Sequence, residues 1–414
     1  MNIKKIWEFI VGSIRLTLKG NWAYHSWMAF LAVLILSGAF AYWRQYTEGL
    51  IVTGMRDQVS WAFYIGNFTF LVGVAAAAVL LVIPAYIYNW KPIREIAIFG
   101  ELLAISAIVM CLLFVTVDIG QPSRALELLP FIGSLNVPSS LLGWDVLVLN
   151  GYLILNAVIV GHFLFKAYFK KPYNKAFVVP LLLLSIPAAI SIHTVTAFVY
   201  NGMASRPFWN ASILAPRFIA SALCSGPAVM LILFQILRKT THIRIRAEAI
   251  QKIAELMSYA MFLNLFLFGV EIFKEYYSAT YHLAHTKYLY SGLHGHTALV
   301  PFAWVSLICS VVAFVLFLVP KTRMNMVTLN LGCLLIYTGV YIEKGLALVI
   351  PGMTPDTLGE IYEYIPTWIE LRVGAGIFAI GFMVFTMLCK VAIPLIHDTL
   401  ADPVAPGEPH PESV

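Results

Sequence analysis

Ionisable side chains are scarce inside the long apolar runs of this chain, and those present crowd toward one side. Asp118, Asp145, His193, Arg217, Glu271, Glu275, Glu343, Lys344, Glu370 and Arg372 all fall near run ends that face the same way. A titratable group at membrane depth is costly, so each is a functional candidate. His193, in Ser191-Ile192-His193-Thr194, lies about two turns from the end of its run, and histidine is the residue type whose ordinary pKa near neutrality suits proton exchange. A histidine satisfied by helix packing is the alternative. Glu271 lies comparably deep. In Asp118-Ile119-Gly120-Gln121-Pro122-Ser123-Arg124, Gly and Pro can turn the chain sharply and leave a carboxylate and a guanidinium near the interface. An ion-paired turn explains that stretch equally well, and interfacial snorkelling explains Glu343-Lys344.

The opposite halves of the runs offer Glu101, Asn156, His162, Gln235, Asn264 and Asn330, of which only Glu101 and His162 titrate. That series is thin for moving protons, and exchange is expected mainly with the outer side. Haem needs facing ligands, and of His25, His162 and His193 only the first two share a side. The cysteines, Cys111, Cys224, Cys309, Cys333 and Cys389, all lie in apolar runs and form no Cys-x-x-Cys pair. Neither an iron–sulfur cluster nor a structural zinc is expected, so any metal electron carriers belong to partners.

Ten apolar stretches must position these groups: about 23–43, 61–89, 95–117, 145–169, 176–200, 213–237, 256–278, 296–318, 326–350 and 370–396. Each meets the roughly 20 residues a helix needs to cross a bilayer. With 60% hydrophobic and 12% charged residues, an ordinary globular enzyme is excluded. The net charge of +6 reports topology rather than a nucleic-acid partner, because 18 of the 27 Lys and Arg fall on one side if the N-terminus is cytoplasmic. Both termini are then expected in the cytoplasm of a multi-pass protein of the cell membrane.

Residues 1–22 read as an amphipathic segment on the inner surface, 23–397 as the membrane domain, and the proline-rich 398–414 as a disordered cytoplasmic tail. The starts of the second and sixth spans, Trp61 to Gly73 and Pro216 to Gly226, both run from the outer side into small residues. The expected fold is therefore all-α, with ten transmembrane helices in two four-helix bundles, spans 2–5 and 6–9, flanked by spans 1 and 10. The inner loop 238–255 reads as long and basic. The outer loops 118–144, 201–212, 279–295 and 351–369 are long enough to receive a partner.

Four features in this order resemble the NrfD/polysulfide reductase membrane-subunit family over roughly residues 55–350. They are the Trp61–Gly73 helix start, Asp118-x-Gly-x-Pro122, Ser191-x-His193-Thr194 followed by Arg206-Pro207-Phe208-Trp209, and the Pro216–Gly226 helix opening. The ten-helix form is most similar to the DsrP-like branch. The resemblance implies a subunit without haem or iron–sulfur cluster that binds menaquinone near the outer face, in the bundle of spans 2–5. It implies a ferredoxin-like iron–sulfur partner docking there. A DsrMKJOP-like assembly would add a membrane cytochrome b, a multihaem cytochrome c and cytoplasmic iron–sulfur subunits, and sulfur or sulfate metabolism. Carried over by motif, Asn67, Asp118 and His193 are headgroup candidates, with Arg124 and Arg206 at the mouth. The family often has Arg where this chain has Gln121. Glu271, Glu101 and His162 are the proton-transfer candidates. The competing readings are a secondary ion or solute transporter with an internal repeat and a structural anchor.

Overall fold

The computed structural model describes residues 3–128, 132–133, 135–241, 243 and 245–400. Among these, ten helices are long and apolar enough to span a membrane. In chain order, α1 (Ile3–Leu18) precedes them, and α2 (Trp22–Glu48) is the first span. Then come α3 (Phe63–Ile87), α4 (Lys91–Asp118), α5 (Leu141–Tyr168), α6 (Lys175–Asn201), α7 (Leu214–Thr240) and α8 (Ala247–Ser278). A short α9 (Leu283–Tyr290) leads to α10 (Val300–Leu318), α11 (Met326–Met353) and α12 (Trp368–Leu400).

The protein is an integral, multi-pass membrane protein. Helices α3, α4, α5 and α6 close one four-membered ring, and α7, α8, α10 and α11 close another. The rings meet along α3–α7, α3–α11 and α6–α7, while α12 packs on α2, α4 and α5. This is the expected pair of four-helix bundles with two added helices.

The seam between bundles is built from close backbone approach, because in lipid no hydrophobic force drives helices together. Gly66 of α3 lies on the backbone of Gly345 in α11, where a side chain would meet the Gly345 carbonyl. Hydrogen bonds flank that contact. Tyr341 donates to Asn67 Oδ1 (2.9 Å), Arg206 to the Met353 carbonyl (3.0 Å) and Trp209 Nε1 to the Leu348 carbonyl (2.8 Å). Midway along, α3 tightens to a 3-10 turn at Ala76–Ala78 and widens to a π turn at Ile83–Ile87 around Pro84. Proline has no N–H to give the regular ladder, and the wider turn accommodates that loss.

Helix α8 begins at Ala247, well before the 256–278 span expected for it, so the long inner loop shrinks to residues 241–246. Its first turns hide Ala249, Ile250, Ile253 and Ala254 on one face and carry Glu248 and Lys252 on the other. A hydropathy average cannot register such a one-sided surface. Of the expected tail, residues 398–400 complete α12 and 401–414 lie outside the described residues. Helix α1 buries no residue and leaves Ile3, Trp7, Ile14 and Leu18 uncovered, as suits a helix lying in a membrane surface.

One end of the molecule carries the long loops and is called here the loop-rich end; the other is the basic end. At the loop-rich end His285 of α9 is buried and its Nδ1 lies 2.7 Å from the Pro351 carbonyl. A carbonyl only accepts, so Nδ1 holds the proton.

Two measurements follow from this packing. Gly66→Val should lower stability by about 1–3 kcal/mol, read as a drop in the melting temperature of the detergent-solubilised protein. Burial pushes the His285 pKa below its ordinary value, opposed by the Pro351 and Thr354 carbonyls. The folded protein therefore binds this proton less readily than the unfolded chain. Stability is fully present above about pH 6.5, the unfolded value, and is lost as pH falls toward the folded value. Melting curves at descending pH should show that loss in the native chain and a smaller one in His285→Gln.

Candidate functional site

Two buried polar groups occupy the loop-rich halves of the two bundles. In the first bundle, His193 of α6 is 3% exposed, and its Nδ1 lies 3.0 Å from the Ala189 carbonyl one turn back. That contact places the ring proton on Nδ1 and leaves Nε2 as a lone-pair acceptor, with no hydrogen-bond partner in the fold. One turn toward the loop-rich end, Thr196 lies 2.7 Å from Asp145 of α5 and also 2.7 Å from the Ile192 carbonyl. A single hydroxyl hydrogen serves one of these at a time, so the Asp145–Thr196 contact can be held by a proton from either side. Tyr200 donates to Thr69 of α3 (2.5 Å), since the Thr69 hydrogen goes to the Ile65 carbonyl (2.7 Å). Above them Tyr200 meets Trp209 and Trp61 edge-on, at 5.0 and 5.8 Å between ring centroids.

Deeper in the same bundle, the Tyr152 hydroxyl, Asn156 Oδ1 and Glu101 Oε2 are buried without hydrogen-bond partners. Buried polar atoms in native folds nearly always find a partner. An array of unmatched donors and acceptors within one bundle therefore marks a place for water or a polar ligand.

The second bundle answers the same burial problem with charge. Arg217 of α7 pairs with Glu271 of α8 and with Glu343 of α11, the latter at 2.6 Å. Lys344 is buried with its Nζ 3.6 Å from the centroid of the Phe218 ring. These groups, with Glu275, border a cavity of about 40 Å³, large enough only for water. Glu343 and Lys344 are thus interior, not snorkelling.

The structure brings together some of the sequence candidates and separates others. His193 lies inside the first bundle, and Asp118 ends α4 half-buried with Oδ1 unpartnered. Asn67 is turned to the seam, with both amide atoms engaged, by Phe63 and Tyr341. Arg206 also serves the seam. Arg124 is exposed and bonds Glu127 at 3.0 Å, so the guanidinium expected beside Asp118 is committed elsewhere. Glu271 belongs to the second bundle. His162 accepts from the Asn174 N–H at 3.3 Å and closes the α5–α6 turn at the basic end. Among the described residues, no three His, Cys, Asp or Glu side chains converge as metal ligands would. The sequence offers Asp145 only as one titratable group among ten, and it does not single out Thr196, Tyr200, Tyr152 or Thr69, which the fold places in the same bundle as His193. Thr196 was findable, since it sits one turn after His193 on the same face.

A ten-helix membrane protein with buried polar groups at one end of two bundles is the class this geometry defines. The chain belongs to the polysulphide reductase, NrfD family, whose model matches residues 51–355. It is similar to a protein of Halobacterium salinarum named as a dimethyl sulfoxide reductase membrane subunit, with 24% identity covering 86% of this chain and 88% of that protein. The Hdr-like menaquinol oxidoreductase integral membrane subunit of Archaeoglobus fulgidus is 19% identical over 89% of this chain and 93% of its own length. The menaquinone reductase integral membrane subunit of Nitratidesulfovibrio vulgaris is 24% identical over 87% and 89%.

Replacing Arg217 by Met strands two carboxylates in the second bundle without their countercharge. Loss of one partner of a buried ion pair costs about 3–5 kcal/mol. Thermal unfolding should show a large drop for Arg217→Met and a smaller one when Glu271→Gln and Glu343→Gln are added to it.

Proposed function

We propose that this protein is the quinone-reactive membrane subunit of a respiratory electron-transfer complex, with its quinone site in the loop-rich half of the first bundle. The observation that carries the reading is His193, a buried histidine whose tautomer is set by Ala189 and whose Nε2 is an unsatisfied acceptor. Two relatives named for menaquinol or menaquinone chemistry make menaquinone the candidate substrate.

A quinol that gives up two electrons must also give up two hydroxyl protons. His193 Nε2 accepts one, and Ala189 stabilises the resulting imidazolium through Nδ1–H. The Asp145 carboxylate takes up the second and becomes a carboxylic acid, while the Thr196 hydroxyl turns its hydrogen from Asp145 to the Ile192 carbonyl. Asp118, half-buried at the loop-rich end of α4, passes protons toward that face, which the distribution of Lys and Arg assigns to the outside. Electrons leave to a ferredoxin-like iron–sulfur subunit docked over the loops at that end, or arrive from it when the reaction runs in reverse. Asn67 and Arg206 act by holding the second bundle against the first, and Arg124 lies on the docking face. Glu101 and His162, toward the basic end, and Glu271, in the second bundle, are the groups through which any wider proton movement would pass. Haem and iron–sulfur centres are assigned to partner subunits. A DsrMKJOP-like set and a role in sulfur or sulfate metabolism form one branch; a terminal reductase of another oxyanion or sulfoxide forms the other. The soluble subunit that purifies with the chain decides between them.

The transporter reading has one feature in its favour, the irregular α3. Its tight turn at Ala76–Ala78 packs against Gly226 of α7, within protein, so it does not present open backbone to a solute path.

Extraction of the purified complex should yield bound quinone, and His193→Ala should weaken quinone binding by on the order of tenfold or more. Absence of bound quinone together with indifference to the substitution would refute the assignment.

A further inference from the structure

The membrane-facing surface between α5 and α6 holds a groove of about 470 Å³, lined by Val148, Gly151, Tyr152, Val158, Leu181 and Ala188 among others. We infer that this groove is the lateral port through which the isoprenoid tail of the quinone leaves the first bundle; the inference rests on the quinone reading above.

The groove combines two kinds of surface. Its walls are apolar apart from Tyr152 and Ser191, and α5 and α6 turn Ile154, Val158, Leu184 and Ile190 outward beside it. Yet the Tyr152 hydroxyl and, one turn along α5, Asn156 Oδ1 are both buried, and the hydroxyl has only the Asn156 side chain to bond, with neither atom meeting a partner at good hydrogen-bond geometry. A lipid acyl chain would fill the groove and leave those atoms unmatched. A ligand that joins an apolar tail to a ring with oxygen substituents fills the groove and matches them as well.

Register places the headgroup site behind the same wall. The Asp145–Thr196 contact sets α5 against α6. Tyr152 lies two turns inward from Asp145, and His193 one turn inward from Thr196. At the helical rise the two unpartnered groups differ in depth by about 6 Å, a span that a bicyclic headgroup can bridge. Gly151 keeps the port open, since a Cβ there would meet no atom within 4 Å. The tail is no more apolar than the lipid it leaves, so burial in the groove adds little affinity. What the groove supplies is an exit: a headgroup seated in the bundle needs a gap for its tail, and filling the gap excludes tailed quinones alone.

The test compares Gly151→Trp with the native chain in lipid nanodiscs, measuring retention of menaquinone and of tail-less 2-methyl-1,4-naphthoquinone against empty discs. The native chain should retain both. In Gly151→Trp, affinity for menaquinone should fall by on the order of tenfold or more while the tail-less quinone stays within about twofold. Ala188→Phe fills the port from α6 and should give the same pattern; it decides the matter if Gly151→Trp does not insert. Equal losses for both quinones, or no change for either, would overturn the port, the second outcome leaving the groove to a lipid acyl chain. A native chain that retains neither quinone would remove the quinone reading itself, and the port with it.

Discussion

The contact on which the arrangement depends is the approach of α3 to α11 at Gly66 and Gly345, where two backbones meet with no side chain between them. It is possible only with glycine on α3, and it brings Tyr341 of one bundle within hydrogen-bonding distance of Asn67 in the other. In a bilayer such a bond has no water to compete with it, so one amide and one phenol help fix how the bundles face each other. Helix α3 also carries Thr69, the partner of Tyr200, so the seam and the first-bundle site share a scaffold.

The two bundles treat corresponding positions in opposite ways. Asn67 and Arg217 lie at matching depths, each less than two turns before the point where Gly73 of α3 meets Ala222 of α7. Around Arg217 two carboxylates share one guanidinium beside a space fit for water, with Arg217 Nε and Glu275 Oε2 left unpartnered next to it. On the inner side of Asn67 the first bundle holds neutral or proton-sharing groups whose valences are not closed. A buried ion triad specifies one geometry, because any displacement leaves a charge unpaired in a medium that cannot solvate it. The second bundle thus acts as the rigid half against which the open half is held.

Much of this was legible in the sequence, and the reasons for the remainder are specific. Ten apolar runs follow from length and hydropathy, because every backbone polar group in lipid must be bonded within its own helix, and the four-plus-four grouping follows from the similar starts of the second and sixth spans. His193 and Glu271 stood out because a titratable group costs so much at their depth. Arg124 bonds Glu127, three residues on and within the same turn, a local partner that the Asp118–Arg124 motif does not reveal. Asn67 turns to Tyr341 of the second bundle, which sequence does not show, since it gives a helix position but not the face presented to a neighbour. Tyr152 and Thr69 carry no charge, and a Tyr or Thr in an apolar run is common enough to pass unnoticed. Their importance is visible only as missing or reciprocal hydrogen bonds.

The lopsided placement of polar groups has an electrical meaning. Glu101 and Asp118 of α4 are separated by about 25 Å at 1.5 Å per residue, most of the thickness of the hydrocarbon. A reaction centred on His193 lies close to one boundary of the transmembrane voltage. Protons released to that boundary cross the smaller part of the field, and their release depends only weakly on membrane potential. Protons drawn from the other boundary would cross the larger part of it, at about 2.3 kcal/mol per elementary charge for each 100 mV. On the proposed reading, the depth of a single histidine therefore sets how strongly the energised state of the membrane can hold back, or drive, the chemistry beside it.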